Sequence, residues 1–429
     1  MEEKWRIILT APINLFSCCQ WNIICEHSWE GLMTTYNDAA DKGWDRFISL
    51  WNDAKVFDGA TNGFWLCGNT TRVIVEYLLA RKKSDGPKLE TCVKFFENTV
   101  PFDATEEQLK TLTSEGLNAK PKGGAWLDDY GWWGIALLDA LAAGDQIGTF
   151  PNKDARLTAG AKHCWTIMSG GWNTTNNVPI GGGIWNNDQG LDMSGRNNIT
   201  NELFWLISLR LYDLTKDKSY LTIPGFANES MDAWYQKAID ADLLYVDVVS
   251  MNGMTYKQVR ERLKGMSNGS PDYYWVADQA WFADCCFRQG RGKIGAQVYS
   301  DTIGAMTDSN NVLHDRPFPL SGYELDYATG KGVFIAKLAE NQEPYATICL
   351  TASADAVWNN RLQPDNQFLF NWNPKGKFPG GEPENDLLDT NLGKMVLQAS
   401  GLAALYAQAT QHGTDPITAP APIKMGAAT

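Results

Sequence analysis

The sequence predicts an all-α protein, an (α/α)6 toroid or barrel of six helical hairpins, on three observations. Apolar residues recur at i, i+3 and i+4 along most of the chain, while alternating strand patterns are few and short. The helical segments alternate between ones that are apolar nearly all round and ones with a clear polar face. The connections that precede the apolar helices are long, whereas those that follow them are mostly short.

A helix that is apolar on most sides has to be buried, so the two classes separate into an inner and an outer ring. In chain order, amphipathic Met33–Lys55 precedes apolar Cys67–Arg81, Pro87–Asn98 precedes Asp129–Ala143, and Asp154–Met168 precedes Ile199–Leu214. Asn228–Asp242 then precedes Val276–Gln289, Gly292–Met306 precedes Lys331–Glu340, and Glu343–Trp358 precedes Lys394–Thr410. The long connections are Thr99–Leu127, Ser169–Asn198, Tyr245–Trp275, Thr307–Gly330 and Asn359–Gly393. Connections of that length carry function more often than not. All five would emerge on one face of the ring, at the N-terminal ends of the inner helices. The hairpins occupy 33–411, with a leader or extension at 1–32 and a Pro/Ala-rich tail at 412–429.

Apolar residues make up 44% of the chain and charged residues 20%, which is globular composition, and no run of eighteen uncharged apolar residues reads as a membrane span. A net charge of −13 argues against nucleic acid and anionic membrane surfaces, which call for clustered Lys and Arg. The 18 Trp are the outlier; their flat faces suit sugar rings or the core of a large helical protein. Nine cysteines include no C-x-x-C pair, so zinc is not expected. Sequons at Asn69, Asn173, Asn198, Asn228 and Asn268 point to a secreted or cell-wall-associated glycoprotein, although the acidic, Pro-containing N-terminus makes a poor signal peptide.

The segment "GGAWLDDYGWWGIALLDALAA" places Asp128 and Asp129 among Trp126, Tyr130, Trp132 and Trp133, where a loop gives way to an apolar helix. Consecutive helical residues point about 100° apart, so two carboxyls in a first turn can aim into one cleft roughly 5 Å apart. Retaining glycoside hydrolysis needs a nucleophile and an acid/base at about that separation. The helix N-terminus favours ionisation of one, and repulsion keeps the other protonated. The bland alternative is an N-cap followed by a first-turn charge.

In "IGGGIWNNDQGLDMSGRNNITNEL", three glycines allow close backbone approach, Trp185 offers a ring face, and Arg196, Asn197 and Asn201 supply directional donors and acceptors. A turn-rich capping loop is the alternative. "DDYGWW" resembles the Asp-Asp-x-x-Trp-Trp motif of glycoside hydrolase family 76, the endo-α-1,6-mannanases. "GGGIW" and "RNNITNEL" resemble that family's Gly-Gly-x-x-Trp and Lys-Asn-x-x-x-Asn segments, and "KGVFIAKLAE", "SADAVWNNR" and "FLFNWNP" extend the likeness from Tyr36 to Gln411.

The resemblance implies an (α/α)6 barrel that cleaves internal α-1,6-mannosidic bonds with retention, Asp128 being the nucleophile and Asp129 the general acid/base. It implies substrate contacts from Trp132, Trp133, Trp185, Arg196, Asn197, Asn201 and Gln279, with α-mannan or a mannose-containing glycan as the partner of a monomer. The chain departs from the family where Tyr-Asn-Gln-Gly becomes Ala277, Asp278, Gln279 and Ala280, where Arg196 replaces Lys, and where Asn186 replaces a second Trp.

Two-carboxylate hydrolysis requires no cofactor. A Ca²⁺ site in Asn173–Asp192 would lack EF-hand spacing, so no metal is expected. "GMSNG" at Gly265–Gly269 fits a nucleophile elbow, but the preceding "YKQVRERLKG" reads as helix rather than the strand an elbow needs. A non-catalytic carbohydrate-binding protein on the same scaffold, and a fungal cell-wall transglycosidase acting on mannose-containing glycans, are the remaining readings.

Overall fold

A computed structural model describes residues 34–54, 63–99, 126–172, 180–186, 196–226, 228–250, 252–265, 273–315, 324–341, 345–374 and 386–417. Among them are twelve α-helices: α1 Tyr36–Ala54, α2 Phe64–Ala80, α3 Gly86–Thr99, α4 Leu127–Ala143, α5 Lys153–Ser169, α6 Asn198–Thr215, α7 Met231–Asp240, α8 Val276–Arg288, α9 Gly292–Met306, α10 Glu324–Asn341, α11 Ala346–Asn359 and α12 Asn391–His412. The even-numbered helices are the apolar ones. They pack in sequence, α2 on α4, α4 on α6, α6 on α8, α8 on α10, α10 on α12, and α12 back on α2, which closes the ring.

The odd-numbered helices lie outside, so the predicted toroid is the observed one. Close approach of the inner helices depends on small residues. A Cβ at Gly131 would sit 2.7 Å from Leu203, one at Gly134 would sit 2.4 Å from Ile207, and one at Gly68 would sit 2.9 Å from the Trp133 backbone nitrogen. The ends of the fold are stitched together as well. Thr35 bridges to Pro416, Ile417 N–H donates to the Thr34 carbonyl at 3.0 Å, and α12 packs against α1.

Two expectations are corrected. The connection after α7 holds an antiparallel hairpin of β1 Tyr245–Val249 and β2 Thr255–Val259, paired from Tyr245 with Val259 to Val249 with Thr255. The segment "YKQVRERLKG", read as helix from its spacing, is therefore β2 and the irregular stretch beyond it. Its half-buried face packs on α9 and α8, and cross-strand pairing outweighs local helical periodicity. An elbow must lead from its serine directly into a helix. Ser267 lies outside the described residues, and α8 begins only at Val276. The inner helix expected from Lys331 begins earlier, at Glu324.

Candidate active site

The start of α4 is where the loop-bearing face becomes specific. Trp126 is its N-cap in extended backbone, with φ −88° and ψ 167°, and its N–H donates to Asp129 Oδ2 at 3.2 Å while its carbonyl accepts the Asp129 N–H at 3.1 Å. Asp128 and Asp129 are the second and third helical residues, both partly open to solvent. Leu127 N–H donates to the Asn186 carbonyl at 3.0 Å, which brings the glycine-rich segment against the first turn of α4.

That segment is shaped by left-handed backbone at Gly182 and Gly183, φ +74° and +94°, where any Cβ would press on Trp172 or Trp234. Asn201, fully buried, holds it: Oδ1 accepts the Ile184 N–H at 2.8 Å, and Nδ2 donates to the Ile184 carbonyl at 3.2 Å and the Asn197 carbonyl at 2.9 Å. Thr200 Oγ1 donates to Asn186 Oδ1 at 2.6 Å. The exit of the β-hairpin closes the opposite side. Asn198 N–H donates to the Glu261 carbonyl at 2.7 Å, and Arg262 Nε donates to Asn197 Oδ1 at 2.8 Å. Gln279, also buried, pairs both ends of its amide with the Val259 backbone, at 2.7 and 2.8 Å.

The residues predicted to line the site thus come together, but with their polar groups directed at the chain itself. Asn197, Asn201 and Gln279 lace loops to helices. Trp133 is fully buried, donating its indole N–H to the Phe64 carbonyl at 2.8 Å. Trp132 is buried in the ring's interior, its centroid 5.8 Å from Trp65, 5.8 Å from Trp281 and 6.4 Å from Trp275. Trp185 carries the buried Arg196 guanidinium on its ring face, 4.7 Å from the centroid, and burial lowers the Arg196 pKa to about 10. Trp126, named beside the aspartates in the sequence but given no role there, is 48% exposed.

The electrostatics separate the two aspartates. Burial raises Asp128 to about 7, opposed by the backbone N–H groups of Asp128 and Asp129 and reinforced by Glu261. Asp129 is raised well above the ordinary carboxyl range by burial, then by the charge of Asp128, with Asp326 adding repulsion. Sequence reading passes over Glu261 and Asp326, and over a further acid pair. Glu202 and Asp278 are fully buried, each is raised well above its usual value by burial, and each turns a charge toward other acids: Asp278 on Glu202, and Glu261 and Asp315 on Asp278. Neither carboxyl has a hydrogen-bond partner of ordinary geometry among the described residues. Among the described residues no group of three His, Cys, Asp or Glu could hold a metal ion, and no helix is long and apolar enough to cross a membrane. Most of Asn173–Asp192 lies outside the described residues.

Comparison with known proteins follows the same direction. Residues 29–262 match the family model described as glycosyl hydrolase family 76. The fold is similar to the GH76A α-1,6-mannanase of Salegentibacter sp. HEL1_6, with 16% identity over 87% of this chain and 99% of that one and a TM-score of 0.56. An inactive double Asp-to-Asn variant of that mannanase, changed at two consecutive positions and in complex with α-1,6-mannotriose, is matched at 15% identity over 87% of this chain and 99% of that one, TM-score 0.55. Dfg5 from Chaetomium thermophilum, in complex with glucosamine, is similar at 16% identity over 80% of each chain, TM-score 0.55. No curated protein sequence matches.

Proposed function

Because the chain belongs to glycosyl hydrolase family 76, we propose that it is a retaining, endo-acting hydrolase of α-1,6-mannosidic linkages that works through Asp128 and Asp129. The observation that carries this reading is the pair itself: two consecutive carboxyls in one first helical turn, both raised by burial and Asp129 raised further by the charge of Asp128. Near neutral pH the pair keeps one proton, on Asp129, and one charge, on Asp128. That division is the starting state of a double displacement.

In the first step Asp128 attacks the anomeric carbon while Asp129 protonates the departing glycosidic oxygen, leaving a mannosyl ester on Asp128. Asp129, now ionised, removes a proton from water, which attacks the same carbon and frees a product of retained configuration. The backbone N–H groups of Asp128 and Asp129 stabilise the carboxylate of Asp128 before attack and after release. Support for the substrate class comes from the structurally similar mannanase and its mannotriose complex. Both carboxyls come from one chain, so a monomer suffices. The sequons and a mannan substrate support work outside the cell or at the cell wall.

A second reading shares the first step: a sugar hydroxyl replaces water in the second, giving transglycosylation, and the likeness to Dfg5 keeps it in view. The test is incubation with linear α-1,6-mannan, with products sized over time and their anomeric configuration read by NMR. A ladder of short α-configured oligosaccharides supports hydrolysis, and products longer than an added oligosaccharide acceptor support transfer. Binding of mannan without new reducing ends would leave only the carbohydrate-binding reading.

A further inference from the structure

We propose that Trp126 forms a stacking subsite for a neutral hexopyranose ring at the mouth of the cleft, separate from the groups that do the chemistry. The inference rests on the reading of Asp128 and Asp129 as a glycan-cleaving pair. Its grounds are the ring's exposure, its anchoring and the state of its neighbours.

Trp126 is 48% exposed, whereas Trp132, Trp133, Trp185 and Trp275 are each 7% exposed or less. Among the described residues no aromatic ring stacks on it. A large flat apolar face left in water is unfavourable, and at a cleft mouth it matches the C–H face of a pyranose. The anchoring is specific. Both backbone polar groups of Trp126 bond to Asp129, the N–H to the carboxylate and the carbonyl to the amide, so the residue's backbone is fixed relative to the proposed acid.

The other tryptophans of this end are already engaged. Trp132 and Trp133 pack inside the ring, and Trp185 is covered by Arg196. The acids nearby, Glu261 and Asp326, disfavour an anionic ring. A sugar seated on Trp126 therefore lies one step outside the bond being cut, and it adds affinity for chain length without touching the reacting atoms.

The experiment compares wild type, Trp126→Ala and Trp126→Phe on α-1,6-mannohexaose and on a short aryl α-mannoside with a good leaving group, with calorimetric titration of mannohexaose alongside. The expected result is a KM for mannohexaose raised about tenfold in Trp126→Ala with kcat within about twofold, largely restored in Trp126→Phe, and no change on the aryl glycoside. Equal losses of kcat on both substrates without rescue by Phe would make Trp126 only a helix cap and overturn the subsite. If wild type cleaves mannan and Trp126→Ala has an unchanged KM, the subsite falls and the proposed activity stands. If wild type binds mannohexaose without cleaving it and Trp126→Ala loses the binding, the subsite stands and the hydrolase reading falls.

Discussion

Asp278→Asn is expected to stabilise the protein, and increasingly so as pH rises. Asp278 and Glu202 face each other from α8 and α6, fully buried, with none of their carboxyl oxygens paired in ordinary hydrogen-bond geometry among the described residues. Burial holds both pKa values above the unfolded ones, with the charge of Asp278 adding to Glu202 and the charges of Glu261 and Asp315 adding to Asp278. A carboxyl whose folded pKa is raised binds its proton more tightly in the native state. Its favourable contribution is complete below the unfolded pKa, about 4, and is lost as pH climbs toward the folded pKa.

An amide of the same shape removes one titrating group and adds two N–H donors beside Glu202. Relieving one unpaired buried polar group is worth about 1–3 kcal/mol, or about 1–3 °C in Tm for a chain of this size. Scanning calorimetry at pH 4.5, 6 and 8 should show the variant close to wild type at the lowest pH and clearly above it at the highest. A variant equal to or below wild type at pH 8, or an advantage independent of pH, would refute the argument that these acids are unpaired and repel.

Asp128→Ala should lower turnover by about 10²–10⁴ or more, with azide restoring cleavage to inverted product, whereas Asp129→Ala should still cleave aryl mannosides and give retained product with azide, both read by NMR of the anomeric proton. Activity should rise through about pH 7 as Asp128 ionises and fall at higher pH as Asp129 loses its proton; Glu261→Gln removes a charge that raises Asp128, so the acidic limb should move to lower pH. Gly68→Ala forces a Cβ to within 2.9 Å of the backbone of Trp133 and 3.0 Å of that of Trp132, which cannot swing aside, so a loss of about 1–3 kcal/mol is expected by thermal denaturation. In protein secreted from a eukaryotic host, peptide mapping should find Asn69 and Asn198 bare, since both are buried and Asn198 Nδ2 is bonded to the Arg260 carbonyl, whereas exposed Asn228 is open to a glycan.

What the sequence made legible divides along physical lines. Burial on all sides leaves a strong compositional trace, which is why the inner helices such as α4 and α12 could be found and ordered. The β-hairpin left almost none: Tyr245–Val249 and Thr255–Val259 are five residues each, and their stability comes from pairing with each other and from packing on α9. The adjacent aspartates were legible because few roles need two acids in one first turn. Asn201 and Gln279 show the opposite. A buried amide at a helix start looks the same in sequence whether it holds a sugar or, as the hydrogen bonds show here, a neighbouring loop. Trp126 was seen beside the aspartates but given no substrate role, because exposure is a property of the surroundings, and its own letter says only that it is large and flat.

Ring closure sets the order of events in biogenesis. α12 packs on α1 and α2 as well as on α10 and α11, so the first helices to leave the ribosome wait for the last. Until Asn391–His412 is made, the apolar sides of α2 and α10 have no neighbour at the gap, and residues such as Val396, Leu402 and Leu405 are missing from the centre of the core. Folding by stepwise addition of hairpins therefore cannot finish, and the nascent chain carries an open, adhesive seam through most of its synthesis. Loss of the final helix therefore opens the ring on both of its neighbours rather than trimming one end.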